Sequence, residues 1–194
     1  MKTKVKLAQL ATLRSGVTLR KRVTDSPKGT HHLFQFRDLD KTHYNLCSAT
    51  RIDGSAFDPK HLLQVGDILF TAKGAHNKAI LYTQEHQQQY PNTLALSIFT
   101  IIKVIPELIL PEYLVWYINS PSGQQALEPF KGGSVIPSIS NTSLRQLPIT
   151  LPTLEKQHSI IQLVQLLERE EELHLEIIKE KKRLINQVIY EKIQ

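Results

Sequence analysis

Leu151-Pro152-Thr153-Leu154-Glu155-Lys156-Gln157 opens a stretch that runs on to Ile193 with no glycine and no proline after Pro152. Thr153 suits an N-cap, and Glu155 puts a carboxylate in the first turn, where the helix dipole favours it. Ile160, Val164, Leu167, Leu175, Ile178, Ile185 and Ile189 fall on one stripe at helical spacing, with Leu163, Ile177, Leu184 and Val188 close beside it. The pattern predicts one helix, about 57 Å long from Glu155 to Lys192 at about 1.5 Å per residue. That exceeds the width of any domain the remaining residues can build, so the helix is expected to lie on another helix.

Its charges say which way round. Glu168 to Glu172 hold four Glu and one Arg, and Lys179 to Arg183 hold four basic residues and Glu180. Two parallel copies set acid against acid. Two antiparallel copies, related by a two-fold axis near Glu176, set residue 170 opposite about 182, so that acid meets base at both ends of the seam. Exposed pairs are worth about 0–1 kcal/mol each, so they choose orientation while the Leu and Ile stripe supplies strength. The expectation is a homodimer through an antiparallel coiled coil.

The boundary of this arm falls at Leu151-Pro152-Thr153, giving a globular unit over 1–152 and a helical unit over 153–194. Charge divides the same way. Residues 1–154 carry 17 Lys and Arg against 10 Asp and Glu, a net of +7, whereas residues 155–194 have a net of −1. A basic globule attracts polyanions, nucleic acid first. The single cysteine, Cys47, leaves neither an intrachain disulfide nor a cysteine-based zinc site, and is expected to be a small buried apolar residue. No run reaches the roughly 18 apolar residues of a membrane span and no signal peptide is visible, so a cytoplasmic protein is expected.

Within the globule the apolar pattern predicts an α+β domain with a mixed sheet and short helices. A short strand and helix fill 4–14, ended by Ser15-Gly16, and an exposed loop spans 17–32. A strand covers 33–37, and Gly66-Asp67 turns the chain into another at 68–70. A polar loop at 74–78 precedes a strand at 79–82. The apolar run 94–105 reads as one central strand, because its β-branched residues argue against helix. Pro111 opens a helix carrying Tyr113, Trp116 and Tyr117, which read as core; Ser120-Pro121 opens the next. A brief helical turn surrounds Leu144, and Leu147-Pro148-Ile149 forms a strand.

Catalytic signals are missing. There is no Walker-type phosphate loop and no GxGxxG. His31 and His32 lack carboxylates at metal-ligand spacing, and Asp38 and Asp40 lack the further carboxylate and lysine of a metal-dependent nuclease. No Asn-Pro-Pro-aromatic motif is present. The better candidates are basic and amide side chains on loops and beside strands: Arg20, Lys21, Arg22, Lys28, His31, His32, Arg37, Lys73, His76, Asn77, Lys78, Lys131 and Ser134. Arg and Asn can read base edges in bidentate fashion, while Lys and Ser mostly hold phosphate.

An ordered set of segments then carries a resemblance. It comprises Lys6-Leu7 with Gly16-Val17-Thr18; Leu63 with Gly66-Asp67-Ile68-Leu69; Pro111 with Tyr113-Leu114 and Ile118-Asn119-Ser120; Gly133-Ser134 with Ile136-Pro137 and Ile139-Ser140; and Leu144 with Leu147-Pro148-Ile149, Leu151-Pro152, Leu154-Glu155 and Gln157. Together they resemble the specificity subunit of type I restriction–modification systems, over nearly the whole chain. Most members carry two recognition domains in tandem with antiparallel helices; this chain resembles a half-length form with one. The resemblance implies a non-catalytic subunit, with no cofactor of its own, that binds double-stranded DNA at a split site. It implies partnership with methyltransferase subunits, which would carry adenine methylation, and with restriction subunits where a system has them. The rival reading is a truncated remnant or decoy that dimerises or caps the methyltransferase without reading DNA. The loop after Phe70 departs from many relatives in lacking a second glycine, and no base-reading residue carries over by motif.

Overall fold

Among the described residues, alternating and β-branched residues build the strands β1 (Thr3–Lys6), β2 (Ala11–Ser15), β3 (His31–Phe34), β4 (Leu39–Asp40), β5 (Asn45–Leu46), β6 (Thr50–Ile52), β7 (Ile68–Thr71), β8 (Ala79–Leu81), β9 (Thr93–Ala95), β10 (Phe99–Val104) and β11 (Pro148–Leu151). The helices are α1 (Gln84–Gln89), α2 (Pro111–Asn119), α3 (Pro121–Leu127), α4 (Asn141–Leu144) and α5 (Leu154–Ile193). The computed structural model describes every residue except 1, 2, 20–22, 41–44, 75, 76, 134–136 and 194. The chain divides into two compact units, residues 1–154 and 155–194.

The first unit is α+β. Its largest sheet is antiparallel, in the order β2-β10-β7-β8; a second, β6-β3-β9, is mixed, because β3 runs parallel to β9 and antiparallel to β6. β1 pairs antiparallel with β11, from Thr3 opposite Leu151 to Lys6 opposite Pro148. Every residue of β7 is buried, as is Phe99 to Ile102 of β10, so this sheet is covered on both faces. Phe34 of the mixed sheet joins Leu69, Ile80, Tyr82, Phe99 and Ile101 in one hydrophobic cluster.

Local chemistry explains the helix starts. Pro111 and Pro121 each occupy a first helical position, where the missing N–H costs nothing, and the Ser120 hydroxyl accepts from Gly123 N at 3.1 Å. Tyr113 and Tyr117, one turn apart, aim their hydroxyls at the carbonyls of Thr150 (2.7 Å) and Pro148 (3.0 Å) and so tie α2 to β11. Burial pushes the Tyr113 phenol up to about 12. These rings are core, as their spacing suggests, with Trp116 half-buried beside them. Gly66 adopts φ +92°, and the buried Asp67 carboxylate after it accepts from Gln64 N at 3.0 Å. Burial raises the Asp67 carboxyl above its ordinary value, although that hydrogen bond and Arg14, 3.6 Å away, pull the other way.

Several expectations need correction. The run 94–105 is two strands in different sheets. The chain turns at Leu96–Ile98, where Phe99 N donates to Leu96 O at 2.9 Å and Ser97 N to Val17 O at 2.8 Å. Gly16 permits that turn: a Cβ there would overlap the carbonyl oxygens of Ala95 and Leu96. The 17–32 segment is not simply exposed, since Val17 is buried and Leu19 and Val23 pack against the same small cluster as Leu33 and Leu94. Cys47 is exposed; it follows the short β4–β5 ladder and donates its thiol to the Asp38 carbonyl at 3.1 Å. The strand at 33–37 lies two residues earlier, and a 3-10 turn at Phe36–Asp38 takes its end. Helix α1, absent from the sequence reading, is capped by Thr83, whose hydroxyl accepts from His86 N at 3.3 Å.

The second unit is a single helix of 40 residues. Leu163, Leu167, Leu175 and Leu184 each leave 60% or more of their surface exposed, and Ile177, Ile178, Ile185, Val188 and Ile189 between 44 and 57%. Arg169–Glu172 (3.0 Å) and Arg183–Glu180 (2.8 Å) are paired one turn apart within the helix. Among the described residues no helix is long and apolar enough to cross a membrane.

Candidate nucleic-acid interface

The β6-β3-β9 sheet gathers one set of the expected contacts. Lys28 is exposed in a turn held against β6, where Ser26 N donates to Arg51 O at 2.9 Å and Gly29 N to Ser26 O at 2.8 Å. His31 and His32 follow on β3, both half-buried. His31 Nδ1 lies 2.8 Å from the Thr30 hydroxyl, while His32 Nδ1 lies 2.7 Å from the Pro91 carbonyl and its ring meets Tyr90 edge-on at 5.7 Å. The histidines are therefore seated in the fold rather than loose on its surface. Arg37 sits on the turn just past β3, its side chain 64% exposed. Arg51, which the sequence reading overlooked, is exposed on β6 directly opposite His32. Its signal was available: in Thr50-Arg51-Ile52 the flanking residues are buried, so alternation alone places Arg51 outward.

A second set meets at another loop cluster. Lys73 forms a backbone bridge with Ser138, and Ser138 bridges in turn to Gly132. Gly74 N donates to Pro137 O at 2.9 Å and Ile139 N to Ala72 O at 2.8 Å, so Ala72–Gly74 and Pro137–Ile139 form one hydrogen-bonded surface. Lys73 is exposed upon it, and Lys131, half-buried, is ion-paired with Glu128.

Asn77 and Lys78 face inward, contrary to expectation. Asn77 is fully buried; its Nδ2 donates to Thr71 O at 2.7 Å, and its backbone carbonyl accepts from Gln124 Nε2 at 2.8 Å. A side chain used to close its own loop cannot reach a base edge. Lys78 donates its N–H to the Thr71 hydroxyl at 2.8 Å and its ammonium to the Asn119 carbonyl at 3.3 Å, joining β8 to the end of α2. Arg20, Lys21, Arg22, His76 and Ser134 lie outside the described residues. Among the described residues no group of three His, Cys, Asp or Glu could hold a metal ion.

The arrangement suits charge-assisted contact with a polyanion from two rigidly backed surfaces, one on a sheet and one on a paired loop. A family model described as the type I restriction modification DNA specificity domain matches residues 2–184. Solved structures are similar in fold. A type I restriction–modification S subunit from M. genitalium is 17% identical with a TM-score of 0.58, over 86% of this chain and 39% of that one. The HsdS subunit from Thermoanaerobacter tengcongensis is 18% identical with a TM-score of 0.64, over 89% and 43%. A chain from a structure describing complex assembly and conformational transition of the type I R-M system is 18% identical with a TM-score of 0.67, over 89% and 43%. The chain thus spans about two fifths of the length of the structures it matches. No curated protein matches it.

Proposed function

Because the chain belongs to the type I restriction–modification DNA specificity family, we propose that it binds double-stranded DNA sequence-specifically and directs a methyltransferase, with restriction subunits where they accompany it, to a split target site in the cytoplasm. Members of this family recognise DNA without catalysing a reaction; adenine methylation and ATP-driven cleavage belong to their partners. On this reading residues 1–152 contact DNA and residues 153–194 space and dimerise. The observation that carries it is the family match across both units, which agrees with the basic globule and the apolar helix.

The helix supports a two-fold, antiparallel dimer in one further way. Its stripe is nearly symmetric about a point between Glu176 and Ile177. Reversal there sets Ile160 against Ile193, Val164 against Ile189 and Leu175 against Ile178, and it brings Glu171 opposite Lys182. Identical domains at the two ends read identical half-sites, so the target is a palindrome with a gap. Co-expression with a type I methyltransferase subunit, followed by single-molecule mapping of methylated adenines, tests the proposal. A symmetric split motif supports it. No new methylation in an assembled complex refutes it and favours a decoy that caps the methyltransferase.

A further inference from the structure

Arg37 combines an exposed side chain with a guanidinium that is bonded on one side. Nη2 donates to the Thr50 hydroxyl at 2.9 Å, and Nε stands 3.9 Å from Asp38 Oδ1. Both anchors are themselves fixed. Thr50 is 6% exposed and also accepts from Gln35 Nε2 at 2.8 Å. Asp38 is 4% exposed; its Oδ2 accepts from Gln35 N at 2.8 Å and its Oδ1 from the Ser48 hydroxyl at 3.0 Å. The turn that carries Arg37 is thus closed by the carboxylate that faces its guanidinium.

The consequence is geometric. Nε and Nη2 form one edge of the guanidinium plane: Nη2 is hydrogen-bonded to Thr50, and Nε faces the Asp38 carboxylate across an ion pair of 3.9 Å. The edge formed by Nη1 and Nη2 is the adjoining one, on a side chain that is 64% exposed. Two parallel N–H groups in a fixed plane match the O6 and N7 acceptors of guanine in the major groove. A phosphate contact would not need the plane fixed, and an exposed lysine such as Lys73 serves it equally well.

We propose that Arg37 is a specificity-determining residue that reads a guanine through its Nη1–Nη2 edge, with Thr50 and Asp38 as positioning residues. This rests on the DNA-recognition reading above. The same arrangement distinguishes Arg37 from Arg51, exposed on β6 opposite His32, for which a phosphate contact is sufficient.

The test is selection of duplexes from a random-sequence DNA pool by the full chain, in parallel with Arg37→Lys, Thr50→Val and Thr50→Ser. The wild type is expected to recover a motif containing a G·C pair that Arg37→Lys no longer distinguishes, with a loss of about 10- to 100-fold in discrimination at that position alone. Affinity for unrelated DNA should stay within about threefold, because the charge is retained. Thr50→Val should blur the same position and Thr50→Ser restore it, a pattern that general destabilisation does not give; thermal melts confirm that each variant is folded. An unchanged motif in Arg37→Lys overturns the assignment, as does an equal loss of affinity for all sequences. A wild type that recovers no motif overturns the DNA-recognition reading, and this assignment with it.

Discussion

Replacing Ile178 and Ile185 by Asp tests the proposed seam at its middle. These side chains are 49% and 57% exposed in the single chain, so about half of each remains to be covered by a partner. Full burial of an Ile side chain is worth about 1.5–3 kcal/mol, so covering the exposed half contributes about 1–1.5 kcal/mol. A two-fold dimer contains each position twice, so the double substitution removes about 4–6 kcal/mol, before any penalty for the four carboxylates placed in the seam. By itself that weakens association about 10³- to 10⁴-fold. Sedimentation velocity across about 0.1–100 µM should show a wild-type dimer and a variant that is monomeric throughout. Circular dichroism reports the fold of the globular unit in both. A wild type that is monomeric at 100 µM with its helix intact refutes the reasoning, and so does a variant that associates as tightly as the wild type.

Other expectations follow from particular residues. Burial holds the His86 imidazole below its ordinary value, so the neutral form stabilises the fold; that contribution is present above about pH 6.5 and is lost as pH falls through the lowered folded value. The melting temperature of His86→Gln should therefore fall less than that of the wild type between pH 7.5 and pH 5; equal slopes would contradict this. A Cβ at Gly123 would overlap the Tyr117 carbonyl oxygen and lie 2.9 Å from Ile118 Cα, both backbone atoms. Gly123→Ala should cost about 1–3 kcal/mol, read as a lower midpoint in urea unfolding at unchanged slope. Lys73→Glu should weaken binding to every DNA sequence about equally and reduce the dependence on salt by about one counterion; an unaltered salt slope would take Lys73 off the interface.

Where sequence and structure agree, a local cause is sufficient. Pro111 and Pro121 announce helices because their chemistry suits a first turn whatever surrounds them, and α5 declares itself by periodicity and by lacking breakers. Where they differ, the cause lies elsewhere in the chain. Nothing within 94–105 reveals that Gly16, some eighty residues earlier, admits the turn at Leu96. Asn77 looks like a loop amide until its side chain is seen to donate to the Thr71 carbonyl. Cys47 has the composition of a core residue, but its place is set by the Asp38 carbonyl. Of the candidate contacts, charge pointed to Lys28, Lys73 and Arg37, yet it gave no reason to separate Arg37 from the others. That distinction needs Thr50 and Asp38 on adjoining segments. It missed Arg51, which is outward only because its neighbours are inward.

The pairing of β1 with β11 has a consequence for how such a protein can change. Residues near the two ends of the first unit lie on adjacent strands, about 4.8 Å apart, and are stitched further by Leu7 N to Leu147 O at 2.9 Å and Ala8 N to Arg145 O at 3.0 Å. Whatever folds between them enters and leaves through one doorway. A cassette of different length or shape can be exchanged there without moving the frame, provided Thr3–Lys6 and Pro148–Leu151 still find each other. On the proposed function, change in what the protein reads is confined by two four-residue strands.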